Sequence, residues 1–203
     1  MKILVFDTCL DKMYVTLAQD NKILSSKIVE NHDNKYHSAF LISTIKQVLK
    51  ENSLTPKDIE AVGTNIGPGS FTGIRACTTV ARIMAQQLDI PAVGVSSLEI
   101  LAKLAPSDKI PAVALDARKG CGYFYINEEI KGAVPIEEIQ KTIDKEYLIT
   151  DNKLKEKLGG HSYQEEEYSL GDILANLVYE KIQNGEYKWQ ELKPLYIQPP
   201  PMG

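Results

Sequence analysis

The residues best suited to chemistry fall in two short stretches. In the first, the apolar run Ile3 to Phe6 ends in Asp7-Thr8-Cys9, a carboxylate and a hydroxyl at the mouth of a turn. An aspartate there can accept a hydrogen bond from its own turn. The second stretch runs from Ala61 to Arg75: a short apolar strand, the turn Gly67-Pro68-Gly69-Ser70-Phe71-Thr72-Gly73, and the start of a helix. Gly67, Gly69 and Gly73 suit a positive φ or a backbone too close for a Cβ. Pro68 fixes φ and removes a donor, and Thr72 is expected to cap the helix. Three readings of this turn stand side by side. It is an anion cradle at a helix N-terminus, a near-match to a dinucleotide fingerprint, or a tight strand-to-helix turn of small residues. A Walker A loop is excluded, because no lysine follows the glycines.

Other candidates for chemistry are few. The three histidines, His32, His37 and His161, form no pair at helical spacing. His37 opens a helix, where a structural hydrogen bond is the expected role, and no serine, cysteine or carboxylate is spaced to build a triad with it. Cys9, Cys77 and Cys121 are odd in number and make no C-x-x-C pair. Reduced thiols and no metal site are expected. Cys121 has no neighbouring histidine to activate it.

The elements that must position these residues are legible from periodicity. Strands are expected at Lys2–Asp7, Met13–Ala18, Lys22–Ile28, Ala112–Asp116, Cys121–Ile126 and Tyr147–Thr150. Another strand follows Ile90 and leads into a helix through Ser97 and Leu101. Shorter helices are expected at Ile136–Lys145 and Asp151–Leu158. A longer one starts at a Ser169/Asp172 capping box and carries Leu170, Leu174, Leu177, Val178 and Ile182 at core spacing. On a helical wheel for Tyr36–Glu51, the residues His37, Phe40, Leu41, Ile42, Thr44, Ile45, Val48 and Leu49 cover roughly 200°. A helix facing one core needs a stripe only somewhat over about 100° wide. The helix Thr72–Leu88 is charged only at Arg75 and Arg82. Both helices therefore read as wide-faced, their extra apolar surface covered either by a single core or by a partner. The tail Gln198-Pro199-Pro200-Pro201 is expected to be loose.

Composition sets bounds on function. The chain has 203 residues, 43% hydrophobic and 25% charged, with a net charge of −4 and a pI near 5.5. That is ordinary globular composition, with no apolar run of the ~20 residues a membrane span needs and no signal-peptide pattern. A cytoplasmic protein is expected. The scattered lysines and the acidic run Glu165-Glu166-Glu167 argue against RNA binding by this chain alone.

Gly67-Pro68-Gly69-Ser70-Phe71-Thr72-Gly73-Ile74-Arg75 resembles the signature of the TsaB family, noncatalytic relatives of TsaD in the actin-like ATPase superfamily. The resemblance extends to Ile3–Thr8 and to Ala114–Gly120, where Cys121-Gly122 departs from the family's glutamate-bearing pattern. It implies an α/β actin-like fold of two small lobes, each a mixed sheet with flanking helices. The first lobe would span residues 1–103, and the second, reduced lobe residues 104–203. It further implies a scaffold subunit that binds TsaD, joins TsaE through that complex, and supports threonylcarbamoyl transfer to the adenosine beside the tRNA anticodon. The interface would lie on the two wide-faced helices, at His37, Phe40, Leu41, Thr44, Ile45, Val48, Arg75, Thr79, Val80 and Ile83, with a homodimer using the same surface. Where TsaD carries a metal-binding histidine pair, this chain has Ser97 and Leu101, which cannot replace two imidazoles. No cofactor is therefore expected beyond a weak adenine nucleotide near Asp7 and Thr8, and Cys9 stands where nucleotide-binding relatives have glycine. The alternative is a free-standing nucleotide-hydrolysing or sugar-phosphorylating enzyme of the same fold, using Asp7 and Thr8 at the phosphates.

Overall fold

The computed structural model describes residues 1–30 and 37–198, with only the backbone of His37. The expected helix start at Tyr36 and the prolines of the tail lie outside the described residues. The chain forms two compact units: Met1–Ser97 with Ser169–Leu195, and Leu98–Tyr168 with Tyr196–Gly203. Where one cut near residue 103 is expected from sequence, the division is discontinuous, because the last long helix packs on the first sheet.

The first unit holds β1 (Lys2–Asp7), β2 (Met13–Gln19), β3 (Lys22–Val29), α1 (Leu41–Glu51), β4 (Ala61–Asn65), α2 (Phe71–Leu88) and β5 (Ala92–Val95). The helix α3 (Ser97–Ala102) follows across the division. The second unit holds β6 (Pro111–Asp116), β7 (Cys121–Ile126), β8 (Glu129–Pro135), α4 (Ile136–Thr142), β9 (Tyr147–Thr150), α5 (Asn152–Leu158) and β10 (His161–Ser162). The chain then returns to the first unit as α6 (Leu170–Gln183).

The first sheet runs β3-β2-β1-β4-β5. The hairpin strands are antiparallel, and β4 and β5 join parallel to β1. Both faces are covered, which is why β1 is an unbroken apolar run. Leu4, paired with Leu17 and Val62, lies in a core with Phe6, Leu41, Ile45, Val48, Ile74, Cys77 and Ala81 beneath α1 and α2. Val5, paired with Thr16 and Gly63, belongs to the opposite face, where α6 lies. A Cβ on Gly63 would sit 2.3 Å from Val178 of that helix, so glycine sets the helix-to-sheet approach.

Three local expectations are corrected. Ser70, not Thr72, caps α2: its Oγ accepts from the Gly73 amide at 3.3 Å. The first turn of the Tyr36–Glu51 helix is 3₁₀ from His37 to Phe40. At α6, Ser169 makes no side-chain cap bond. Asp172 turns inward to Ser26 instead, leaving its Oδ1 buried with no hydrogen-bond partner.

Candidate functional site

The two stretches that open the sequence argument meet in the first unit. Asp7 ends β1, and both carboxylate oxygens are engaged inside the protein. Oδ1 accepts from the Cys9 amide at 2.6 Å, and Oδ2 accepts from Asn65 Nδ2 at 2.9 Å. Asn65 ends the neighbouring strand, and its Oδ1 in turn accepts from the Gly67 amide at 2.8 Å and the Ser97 hydroxyl at 3.0 Å. One amide side chain thus ties together the ends of β1 and β4, the glycine turn and the start of α3.

The glycine turn is filled by the chain itself. The Ser70 amide donates to the Cys9 carbonyl at 2.8 Å, and the Thr8 hydroxyl donates to the Gly73 carbonyl at 2.9 Å. A Cβ at Gly73 would lie 1.8 Å from the Thr8 carbonyl oxygen, and one at Gly69 would lie 2.3 Å from that of Cys9. Gly67 takes φ +102°. Of the three open readings, the tight turn matches this geometry: the small residues admit the β1–β2 turn against the helix start. Asp7 and Thr8 are buried, and the Gly67, Ser70 and Gly73 amides are bonded within the chain.

The fold also gathers what the sequence spacing separates. The Sγ atoms of Cys9 and Cys77 and a carboxylate oxygen of Asp7 all lie within 4.8 Å of one another, and all three residues are buried. Burial pushes the Cys9 thiol well up, helped by its hydrogen bond to Cys77 and by the Asp7 carboxylate. The thiol is therefore protonated and poor as a nucleophile.

The helices expected to supply an interface divide sharply. Leu41, Thr44, Ile45 and Val48 are buried in the protein's own core, so these four are corrected from partner surface to core. Phe40 and Ile42, 38% and 49% exposed, are the apolar residues of the wheel's arc left on the solvent side. On α2, Arg75, Thr79 and Ile83 form an exposed stripe, with Ile83 at 55%. Val80 is half-buried against the core. The 3₁₀ turn that ends at Phe40 packs beside α2, and the His37 side chain lies outside the described residues.

A two-sheet architecture of this topology, with a glycine turn leading from β4 into a long helix, defines a protein of actin-like ATPase type. Residues 20–163 match the family model of TsaD, tRNA N6-adenosine threonylcarbamoyltransferase. The tRNA threonylcarbamoyladenosine biosynthesis protein TsaB of Buchnera aphidicola (subsp. Schizaphis graminum) is 33% identical over 77% of this chain and 72% of its own length. TsaB of Bacillus subtilis is 29% identical over 86% of this chain and 77% of its own. The structure of YeaZ from Pseudomonas aeruginosa superposes with a TM-score of 0.76 over 96% of this chain and 99% of that one, at 22% identity. The chain belongs to the TsaB family. No helix among the described residues is long and apolar enough to cross a membrane.

Proposed function

We propose that this protein is a noncatalytic partner subunit in cytoplasmic tRNA threonylcarbamoyladenosine biosynthesis. It docks on TsaD through the outer face of α2 and the turn beside it, and meets TsaE through that complex. Free copies pair through the same face and so compete with TsaD. The observation that carries the docking surface is the stripe Arg75, Thr79 and Ile83, which joins a large exposed aliphatic side chain to a guanidinium on one helix face. Such an apolar centre with a polar rim suits a protein partner.

Two features support a subunit without its own reaction. Asp7 and Thr8 are spent on holding turns together. Ser97 and Leu101, at the positions of TsaD's histidine pair, are buried, and Ser97 is tied to Asn65.

The test is copurification with TsaD of the same organism. Ile83→Glu and Arg75→Glu should each reduce capture at least tenfold without moving the melting temperature. Capture of both variants at the wild-type level would overturn the assigned surface. ATP turnover by the purified chain would overturn the noncatalytic reading.

A further inference from the structure

Cys9 and Cys77 stand 68 positions apart, yet the fold sets them against each other beside a buried carboxylate. Cys9 is held by the turn after β1, where its thiol donates to the Asn65 carbonyl at 3.4 Å. Cys77 comes from the second turn of α2. Its Sγ lies 3.1 Å from the Thr8 hydroxyl, which donates to the Gly73 carbonyl. The third member, Asp7, is fixed by the Cys9 amide and by Asn65. Among the described residues these three form the one group of ligand-bearing side chains gathered closely enough for a metal ion.

We propose that Asp7, Cys9 and Cys77 form a binding site for a thiophilic divalent ion of the zinc type. Two sulfurs and a carboxylate oxygen within 4.8 Å of one another are near enough to share one ion, and sulfur with carboxylate oxygen is a zinc-type donor set. The Asn65 carbonyl and the Thr8 hydroxyl, each beside one of the sulfurs, are the neutral oxygens at hand for the fourth corner. Paired thiolates select zinc over magnesium or calcium. Binding exchanges protons for metal: each thiol loses its proton as its metal–sulfur bond forms, and the carboxylate binds as its anion. Two protons leave per ion, and the site keeps one net negative charge. The Cys9 amide and Asn65 Nδ2, which already donate to Asp7, offset that charge. Because both sulfurs are out of solvent, loading should be slow.

Cobalt(II) is the probe, equilibrated with the reduced full-length chain. One equivalent should produce a sulfur-to-cobalt charge-transfer absorption with release of two protons, and one equivalent of zinc should erase it. Cys121→Ser should leave the absorption intact. Cys9→Ser and Cys77→Ser should weaken binding by more than about 100-fold, beyond what losing an outer partner costs. Asp7→Asn should weaken it at least tenfold while keeping the sulfur absorption. If the buried serine variants fail to fold by circular dichroism, the Cys121→Ser result decides, since Cys9 and Cys77 are then the only sulfur donors of their type left. No absorption in the folded wild type, an absorption that survives either buried variant, or one lost with Cys121 would overturn the proposal.

Discussion

The two units repeat one plan with opposite treatment of the same corner. The second sheet runs β10-β9-β6-β7-β8, which is the order and direction of the first with β6 in the place of β1. Each opening strand ends in an aspartate that accepts from the amide two residues on: Cys9 to Asp7 at 2.6 Å, and Arg118 to Asp116 at 3.0 Å. Each has a polar partner from the end of the neighbouring parallel strand: Asn65 bonds the Asp7 carboxylate, and Asp151 accepts from the Asp116 amide at 2.6 Å. In the first unit a glycine turn and an 18-residue helix close over this corner. In the second, α5 has 7 residues, and the turn Arg118-Lys119-Gly120 stays exposed with three consecutive positive φ values. Topology thus supplies the corner, while the residues after the fourth strand of each plan decide whether it is sealed. The sealed copy is the one that carries the glycine-rich turn Gly67–Gly73.

The largest effect should come from reopening the sealed corner. Gly73→Ala drives a Cβ into the Thr8 carbonyl and should cost about 3 kcal/mol or more in urea unfolding, at or beyond the top of the overpacking range. Gly120→Ala meets nothing within 4 Å, so only its φ of +76° opposes it, a cost of about 1 kcal/mol. Equal losses would mean that the two corners are packed alike.

Next come the aspartates. Asp7→Ala strands the Cys9 amide and Asn65 Nδ2 in the interior and should cost about 2–4 kcal/mol. Asp116→Ala loses a turn bond and an exposed pair with Lys153 and should cost about 1 kcal/mol or less. A smaller effect concerns Asp172, whose carboxyl is raised above its ordinary value of 3.8, mainly by burial and against the Ser26 hydrogen bond. The folded state keeps a proton that the unfolded chain has already lost. Its contribution is therefore full below pH 3.8 and declines as pH rises through the folded value. Asp172→Asn should flatten that segment of the stability–pH curve; an unchanged slope would count against the buried carboxyl. The smallest change is a gain. Lys119→Gly relieves a φ of +49° and should stabilise the open corner by up to about 1 kcal/mol, measured as a rise in the urea midpoint.

What the sequence disclosed follows from how locally each feature is encoded. The three opening strands, α2 and α6 are set by periodicity within one window, and their positions agree with the structure to within a few residues. Periodicity does not predict β8, because Glu129–Pro135 is an edge strand with little burial, and Lys131 and Gly132 break its alternation. Ser169 and Asp172 have capping-box spacing but form no box, whereas Thr55 and Asp58 form one, with the Thr55 amide donating to the carboxylate at 2.7 Å. Both pairs have the required spacing, and only the burial of Asp172 by the sheet separates them. At the site, the glycines announced a close approach but not what approaches. The meeting of Cys9 with Cys77 depends on β1–β4 register and on the entry angle of α2, neither of which a spacing records.

The return of α6 to the first sheet also orders events during synthesis. Domains emerging from a ribosome fold as units, the N-terminal one first, at about 5–20 residues per second. Here the second unit's sheet is complete at Ser162, before Leu170 opens the helix that covers the Gly63 face of the first sheet. The later-encoded sheet can finish first, leaving the earlier one with an uncovered apolar face for several seconds on every round of translation.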